Sequence, residues 1–129
     1  MKLEIDSNQE GYNKIDAYSA GNIVIAGRNF TRSLIVTPRA LLSGWPPAVI
    51  TEMKAEHLDP FLEIMPEVLL IGTGQKLVFP DQEILLPLFR AGIGCEIMDT
   101  GAACRSYNFL VGEGRHVAAA LFMIQEISL

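Results

Sequence analysis

The chain has 129 residues, of which 50% are hydrophobic and 19% are charged, and its formal net charge is −5. This hydrophobic fraction is enough to build a packed core in one domain that covers residues 1–129. The acidic balance and the lack of a basic run argue against nucleic acid as a partner.

The sequence also indicates where the protein resides. Its longest apolar run, residues 117–124, is far shorter than the ~20 residues of a membrane-spanning helix. Residues 1–6 alternate in character and carry acids, which resembles neither a secretory signal nor an Arg-rich transit peptide. We therefore expect a cytoplasmic protein with no membrane span.

Short strands joined by turns are predicted for the amino-terminal third. Leu3 and Ile5 begin a strand, and residues 6–13 form a polar loop. Further strands are predicted at residues 15–18 and 22–26, with a turn at 27–29; Phe30 and residues 34–36 then continue the same sheet. This pattern is typical of antiparallel hairpins packed on one side of the domain.

The middle of the chain mixes irregular segments with one helix. Residues 39–47 are expected to be irregular and residues 49–53 to form a short strand. A helix is expected to begin between His57 and Pro60, because proline is tolerated in a first turn, and to end at Pro66. Its predicted core-facing residues are Phe61, Leu62 and Met65.

A strand and a second helix follow. Residues 68–71 predict a buried strand that ends in a glycine turn, and residues 77–79 a brief extended piece. The second helix is expected to open at Pro80 and Asp81 and to stop at Gly92, with Pro87 kinking or shortening it. Its predicted inward residues are Ile84, Leu85, Leu88 and Phe89.

The last third predicts a strand, a helix and a strand. Residues 95–98 form a buried strand, 99–101 a sharp turn, 102–113 a helix and 117–124 a strand covered on both faces. Gly114 is expected to be the left-handed residue after the helix. We expect the crossover to be parallel and right-handed. The fold class is therefore α/β, with a mixed central sheet and flanking helices.

This last third also carries a family resemblance. The matching residues are Asp99-Thr100-Gly101-Ala102-Ala103-Cys104-Arg105, Tyr107-Asn108, Glu113-Gly114-Arg115 and Val117-Ala118-Ala119-Ala120-Leu121, with Leu70-Ile71-Gly72-Thr73-Gly74 and Gly92-Ile93-Gly94 upstream. They resemble a small α/β family that includes the mitochondrial assembly factor of NADH dehydrogenase (respiratory complex I) and an adipogenesis-associated protein. Many bacterial and archaeal proteins also belong to it. The resemblance implies a three-layer, single-domain fold, an assembly role in mitochondria for the eukaryotic relatives, and no established reaction.

Two glycine turns define the candidate binding site. They are Gly72-Thr73-Gly74 and Asp99-Thr100-Gly101, and both follow strands predicted to be parallel. Ligands bind at the carboxyl ends of such strands, and a helix amino terminus beside Arg105 offers free N–H groups to a small anion. The alternative is that the glycines only permit tight turns and the alanines only permit close packing. Gly101 is expected to adopt a positive φ in its turn.

Two catalytic alternatives involve the same turn. Asp99-Thr100-Gly101-Ala102 matches the aspartic-protease motif, but a helix is expected after it, and those proteases are all-β. Cys104 lies near a helix amino terminus, which can stabilise a thiolate, although His116 is a poor base and His57 is the remaining candidate. Cys95 and Cys104 are otherwise expected to be buried free thiols, and neither a cofactor nor a metal site is predicted.

Three functions therefore remain open at this point. The first is a non-enzymatic interaction or assembly protein, whose partner is another protein or a second copy of the chain. The second is a small-molecule or anion-binding module at the glycine turns. The third is a hydrolase or a thiol-dependent enzyme at Asp99 or Cys104. The first is preferred because no complete catalytic set is found. Its predicted surface is Asp99, Arg105 and Asn108 on the last helix.

Overall fold

The computed structural model describes residues 4–5 and 11–125. Leu3 and residues 6–10 of the predicted loop lie outside this part. The strands are β1 (Glu4–Ile5), β2 (Ile15–Ser19), β3 (Asn22–Ile25), β4 (Arg28–Phe30), β5 (Leu34–Val36), β6 (Ala40–Ser43), β7 (Val68–Gly72), β8 (Gly94–Met98) and β9 (Val117–Leu121). The α-helices are α1 (Asp59–Ile64), α2 (Gln82–Arg90) and α3 (Thr100–Gly112), and 3₁₀ helices cover Ile50–Glu52 and Ala55–Leu58.

A six-stranded mixed sheet forms the centre, in the order β1-β6-β5-β9-β7-β8. Strands β7, β8 and β9 are parallel, whereas β5 runs antiparallel to both β6 and β9. Strand β9 is buried along its whole length, as its apolar sequence predicts for a strand covered on both faces. The mixed α/β prediction is therefore confirmed.

Two hydrophobic cores lie on opposite faces of this sheet. Alternation along β9 sends Val117 and Ala119 into the core beneath α3, and Ala118 and Ala120 into the other core. The second core also contains residues of α1 and α2 and the indole of Trp45. Helices therefore cover both faces, which gives the three-layer arrangement.

The amino-terminal hairpins form a separate antiparallel sheet, in the order β2-β3-β4. The turn between β3 and β4 is Ala26-Gly27, and both residues have positive φ, 51° and 75°. A tight hairpin turn that follows the twist of its strands requires two residues in the left-handed conformation. The turn predicted at 27–29 was therefore placed too late, since Arg28 and Asn29 already belong to β4.

Two segments before α1 differ from the prediction. Residues 34–36 do not continue the hairpin sheet, because β5 pairs with β9 in the central sheet. Residues 39–47 are not wholly irregular, because they contain β6. Leu41 packs into one core and Leu42 into the other. This strand was not predicted because Pro38 and Pro46 flank it.

The strand predicted at 49–53 is also wrong. Its centre is the 3₁₀ helix Ile50–Glu52, in which the N–H of Met53 donates to the carbonyl of Ile50 over 3.1 Å. Ile50 and Met53 are both buried. A spacing of three residues brings side chains to one side of a 3₁₀ turn, so a short helix buries this pair where a strand would separate it.

Helices α1 and α2 expose residues that were predicted to face the core. Phe61 and Leu88 are buried, but Leu62 is exposed and the exposed fractions of Met65 and Phe89 are 50% and 80%. Met65 follows α1 at φ 49°, a left-handed conformation that turns the chain out of the helix. Phe89 falls on the outward face of α2, beside the buried position of Leu88.

Candidate functional site

Helix α3 begins two residues earlier than predicted, at Thr100 instead of Ala102. Asp99 is its N-cap, and the carboxylate Oδ1 accepts the N–H of Ala102 over 2.9 Å. The acid thus satisfies one of the free N–H groups at the helix start. A bound anion would have to share this position with a carboxylate, so the geometry gives the anion hypothesis no support.

Thr100 joins the two glycine turns. Its side chain is fully buried, and its hydroxyl accepts the N–H of Gly74 over 2.8 Å and donates to the carbonyl of Phe122 over 2.7 Å. The N–H of Thr100 donates in turn to the carbonyl of Gly74 over 2.9 Å. The structure therefore brings the turns 72–74 and 99–101 together. Thr100 was predicted to belong to the site, but its two buried hydrogen bonds could not be anticipated from the sequence.

The remaining residues of the turns are held by close packing and local hydrogen bonds. A Cβ at Gly72 would lie 2.9 Å from Cα of Thr100 and 3.0 Å from Cβ of Ala103. Thr73 is buried, and its hydroxyl donates to the carbonyl of Lys76 over 2.6 Å. Gly74 has a φ of 105°, so this position favours glycine for its backbone.

Gly101 does not have the positive φ that the turn was expected to require. It lies in the first turn of α3 in a helical conformation and is buried. A Cβ at Gly101 would instead approach Cε2 of Tyr18 to 3.1 Å and Nη1 of Arg105 to 3.4 Å. Its small size therefore matters for the contact between α3 and β2.

Cys104 lacks the environment of a nucleophile. Its side chain is only 1% exposed, and burial raises the pKa of the thiol to about 12 despite the opposing charge of Arg105. His57, the remaining candidate base, packs edge-on against Trp45, which belongs to the core on the other face of the sheet. Its Nδ1 already accepts the N–H of Lys54 over 2.9 Å.

Arg105 and Asn108 connect α3 to the hairpin sheet. The Arg105 guanidinium donates to the hydroxyl of Tyr18. The amide of Asn108 accepts the N–H of Ile15 and donates to its carbonyl, both over 2.8 Å. Arg105 stays exposed at this junction, whereas Asn108 is half-buried and uses its amide inside the protein.

A cleft opens beside the glycine turns, and sequence analysis missed most of it. One cavity of about 410 Å³ contains Thr73, Gly74 and Lys76 in its wall. A second of about 620 Å³ contains Arg32 and Trp45. Met123 and Gln125 line both, so the two cavities adjoin each other near the carboxyl ends of β7 and β9, and together they form a groove along this edge. We call it the carboxyl-edge groove.

The charges of the carboxyl-edge groove are of one sign. Among the described residues, the charged side chains in its wall are Arg32 and Lys76, although the whole chain carries a net charge of −5. The glycine turns were the only sequence signal for this edge. Arg32 precedes β5 and Lys76 follows β7. The order of the strands in the sheet therefore decides that both residues lie at this edge.

Comparison with known proteins identifies the family. The family model described as "Protein of unknown function (DUF498/DUF598)" matches residues 15–122. The chain belongs to this family. The match spans β2 to β9 and all three helices, so it covers the site described above except for Met123 and Gln125 of the carboxyl-edge groove.

Two curated relatives have different descriptions. The chain is 34% identical over 122 residues to NADH dehydrogenase [ubiquinone] 1 alpha subcomplex assembly factor 3 of Xenopus tropicalis, which covers 93% of this chain and 65% of that protein. It is 40% identical over 72 residues to the 13 kDa major membrane protein of Francisella tularensis, which covers 56% of this chain and 58% of that protein. The chain therefore spans less than two thirds of the length of either relative.

A solved structure shares the fold of this chain. The crystal structure of a Bordetella parapertussis protein superposes with a TM-score of 0.82 at 35% identity. The match covers 87% of this chain and 96% of that one.

No helix within residues 4–5 and 11–125 is long and apolar enough to cross a membrane.

Proposed function

We propose that this DUF498/DUF598 protein is a non-enzymatic interaction factor that helps to assemble a protein complex, in the cytoplasm. The observation that carries the proposal is the 34% identity, over 93% of the chain, to a relative named as an assembly factor. The similarity extends over both sheets and all three helices, so it concerns the surface as well as the core.

The state of the candidate catalytic groups supports a binding role. The carboxylate of Asp99 caps α3, and the hydroxyl of Thr100 has two partners inside the protein. Cys104 is buried with a raised pKa. Side chains that are fixed in this way hold a surface in shape, because each would have to break internal hydrogen bonds or packing before it could act on a substrate.

We assign partner binding to the carboxyl-edge groove, and we extend the proposed surface to the exposed Arg105 at the junction of α3 with β2. Apolar and polar side chains line the groove in equal number. The apolar ones include Val78, Phe122 and Met123, and the polar ones include the cations Lys76 and Arg32. An apolar centre with a charged rim is the usual composition of a protein interface. A partner segment with apolar and acidic side chains would match both features.

A photocrosslinking experiment tests this assignment. A photoreactive amino acid at Val78, in the groove, is compared with one at Glu113, which is exposed at the opposite end of α3. After irradiation in cells, mass spectrometry identifies the crosslinked proteins. We expect the Val78 position alone to capture a subunit of a multiprotein complex.

Charge-reversal variants test whether the cations of this surface contribute to partner binding. Lys76→Glu and Arg105→Glu should each reduce the crosslink several-fold, because they oppose an acidic partner. Lys76→Glu should change thermal stability little at its exposed position, whereas Arg105→Glu also loses the hydrogen bond to Tyr18, so a thermal melt accompanies it. Equal capture at Val78 and Glu113, or capture that survives both reversals, would contradict the assignment to this surface.

A further inference from the structure

The outward face of α2 exposes apolar side chains that the fold does not use. The exposed fractions are 39% for Leu86 and 80% for Phe89. Phe79, which precedes the helix, is 71% exposed. Single exposed apolar residues are common, but a helix that presents several on one side is typical of an interaction surface.

Charged residues of opposite sign flank the part of this patch that lies on α2. Glu83 lies in the first turn of α2 and Arg90 in the last, and both are exposed. They are seven residues apart, so they share one face of the helix at a separation of roughly 10 Å along its axis. No salt bridge joins either one to another residue within the described ranges, where the recorded pair is Arg115 with Glu67.

We propose that this face of α2 binds the same face of a second copy of the chain, with the two helices antiparallel. A two-fold axis through the middle of the patch places Glu83 of each copy opposite Arg90 of the other. Leu86 then lies near the axis. Phe79, at the amino-terminal end of one helix, approaches Phe89 at the carboxyl-terminal end of the other.

The order of these residues is what favours a second copy over other occupants. An interface between identical subunits must be self-complementary, and an acid, an apolar centre and a base in sequence satisfy this along an antiparallel helix pair. Glu83 and Arg90 also suit the helix dipole of α2. The dipole does not, however, account for the apolar residues exposed between them.

A membrane surface fits the patch less well. Helices that lie on membranes have a polar face rich in Lys and Arg, whereas this face has one base and one acid in a protein of net charge −5. An anionic bilayer would attract Arg90 but repel Glu83 and the protein as a whole.

The area of the patch determines how tightly we expect the dimer to bind. A fully buried Phe contributes roughly 150–250 Å², so Phe79 and Phe89 together offer a few hundred Å² per copy. This is below the roughly 800 Å² per partner of a standard interface. The dimer should therefore be weak and should appear only as the protein concentration rises.

Sedimentation equilibrium over about 1 to 500 μM purified protein tests the proposal. We expect a reversible monomer–dimer equilibrium. Glu83→Arg alone and Arg90→Glu alone each place like charges in contact, so each should raise the dissociation constant about 10-fold or more. The double variant Glu83→Arg with Arg90→Glu restores opposite charges and should return it to within about 3-fold of the parent.

Controls separate this surface from the others. Glu56→Arg, a reversal of an exposed acid outside α2, should leave the dissociation constant unchanged. A protein that stays monomeric at every concentration overturns the proposal, and so does a dimer that ignores both single reversals. If the protein is monomeric but sediments together with phosphatidylglycerol vesicles, and if Phe89→Ser abolishes this binding, then the patch binds a membrane surface instead of a second copy. Because the partner here is the chain itself, these outcomes do not depend on the function of the carboxyl-edge groove.

Discussion

At the scale of single residues, burial decides the chemistry of the thiols. Cys104 has the neighbours of a reactive cysteine, namely Arg105 and the start of a helix, and Arg105 does act to lower its pKa. Burial acts in the opposite direction and is the larger effect, so the pKa rises to about 12. Cys95 is partly exposed and not the buried thiol that was predicted, but the same main cause raises its pKa to about 11. Sequence neighbours alone cannot reveal this balance, because burial depends on packing against β2 and the central sheet.

The raised pKa of Cys104 predicts a loss of stability in alkaline solution. A thiol whose folded pKa is raised stabilises the fold fully below its unfolded pKa of 9.0, and this contribution is lost as pH rises towards 12. Each such thiol lowers the free energy of unfolding by about 1.4 kcal/mol per pH unit in this window. In urea titrations between about pH 10 and pH 11, Cys104→Ala should therefore show a shallower pH dependence than the parent.

A matched truncation separates ionisation from packing. Val111 is buried in the same core, on the same helix, and does not titrate. Val111→Ala should lower stability at every pH and keep the slope of the parent. If Cys104→Ala also keeps that slope, the thiol ionises equally in the folded and unfolded chains, and its burial is not maintained in solution.

At the scale of elements, segments whose own sequence sets their structure could be predicted, and segments set by distant partners could not. α3 and β9 were found because apolar periodicity, the cap Asp99 and Gly114 all act locally. β8 was found as a strand, but the prediction that it is buried was wrong: it lies at the edge of the sheet and none of its residues is buried, since its place depends on the strand order. β6 was missed because Leu41 and Leu42 need β5 and two separate cores to form a strand.

The candidate site divides in the same way. The glycine turns 72–74 and 99–101 could be predicted as an edge, because each follows a strand with a clear apolar pattern. The hydroxyl of Thr100 that joins them, and the approach of Arg32 and Lys76 to one groove, depend on the strand order. No periodicity along the chain encodes that order.

The junction of β7 with α3 gives the prediction at this scale. Gly72→Ala should destabilise the fold by about 1–3 kcal/mol, because the added Cβ would press on Cα of Thr100 at 2.9 Å, and backbone cannot move aside cheaply. Gly112→Ala is the control, since nothing lies within 4 Å of a Cβ there. It should be neutral or stabilise α3 by up to about 1 kcal/mol.

Urea unfolding of the two alanine variants measures both effects in one experiment. The comparison holds the chemical change constant and varies only the surroundings. A Gly72→Ala variant as stable as the parent would mean that β7 and α3 can separate slightly without loss, and that the close approach at this junction is not required.

At the scale of the whole molecule, α3 connects the two sheets. One side of the helix packs on β7 and β9 of the central sheet, and the other meets β2 of the hairpin sheet. Hydrogen bonds reinforce the second contact: the hydroxyl of Tyr107 donates to the carbonyl of Asn13 over 2.9 Å, and Asn108 bonds both backbone groups of Ile15. Since the carboxyl-edge groove borders the central sheet, loosening of the hairpin sheet should leave the groove walls of β7 and β9 in place.

Asn108→Ala should therefore loosen the hairpin sheet selectively. It leaves the N–H and carbonyl of Ile15 without their partner in a partly buried place, which costs about 1–3 kcal/mol. Hydrogen exchange followed by mass spectrometry should show faster exchange in β2 and β3, with little change in β7 and β9. Phe109→Ala, which removes an exposed ring from the same helix, should change neither region. Equal acceleration in both sheets would show that they open as one unit and that Asn108 is not a local connection between them.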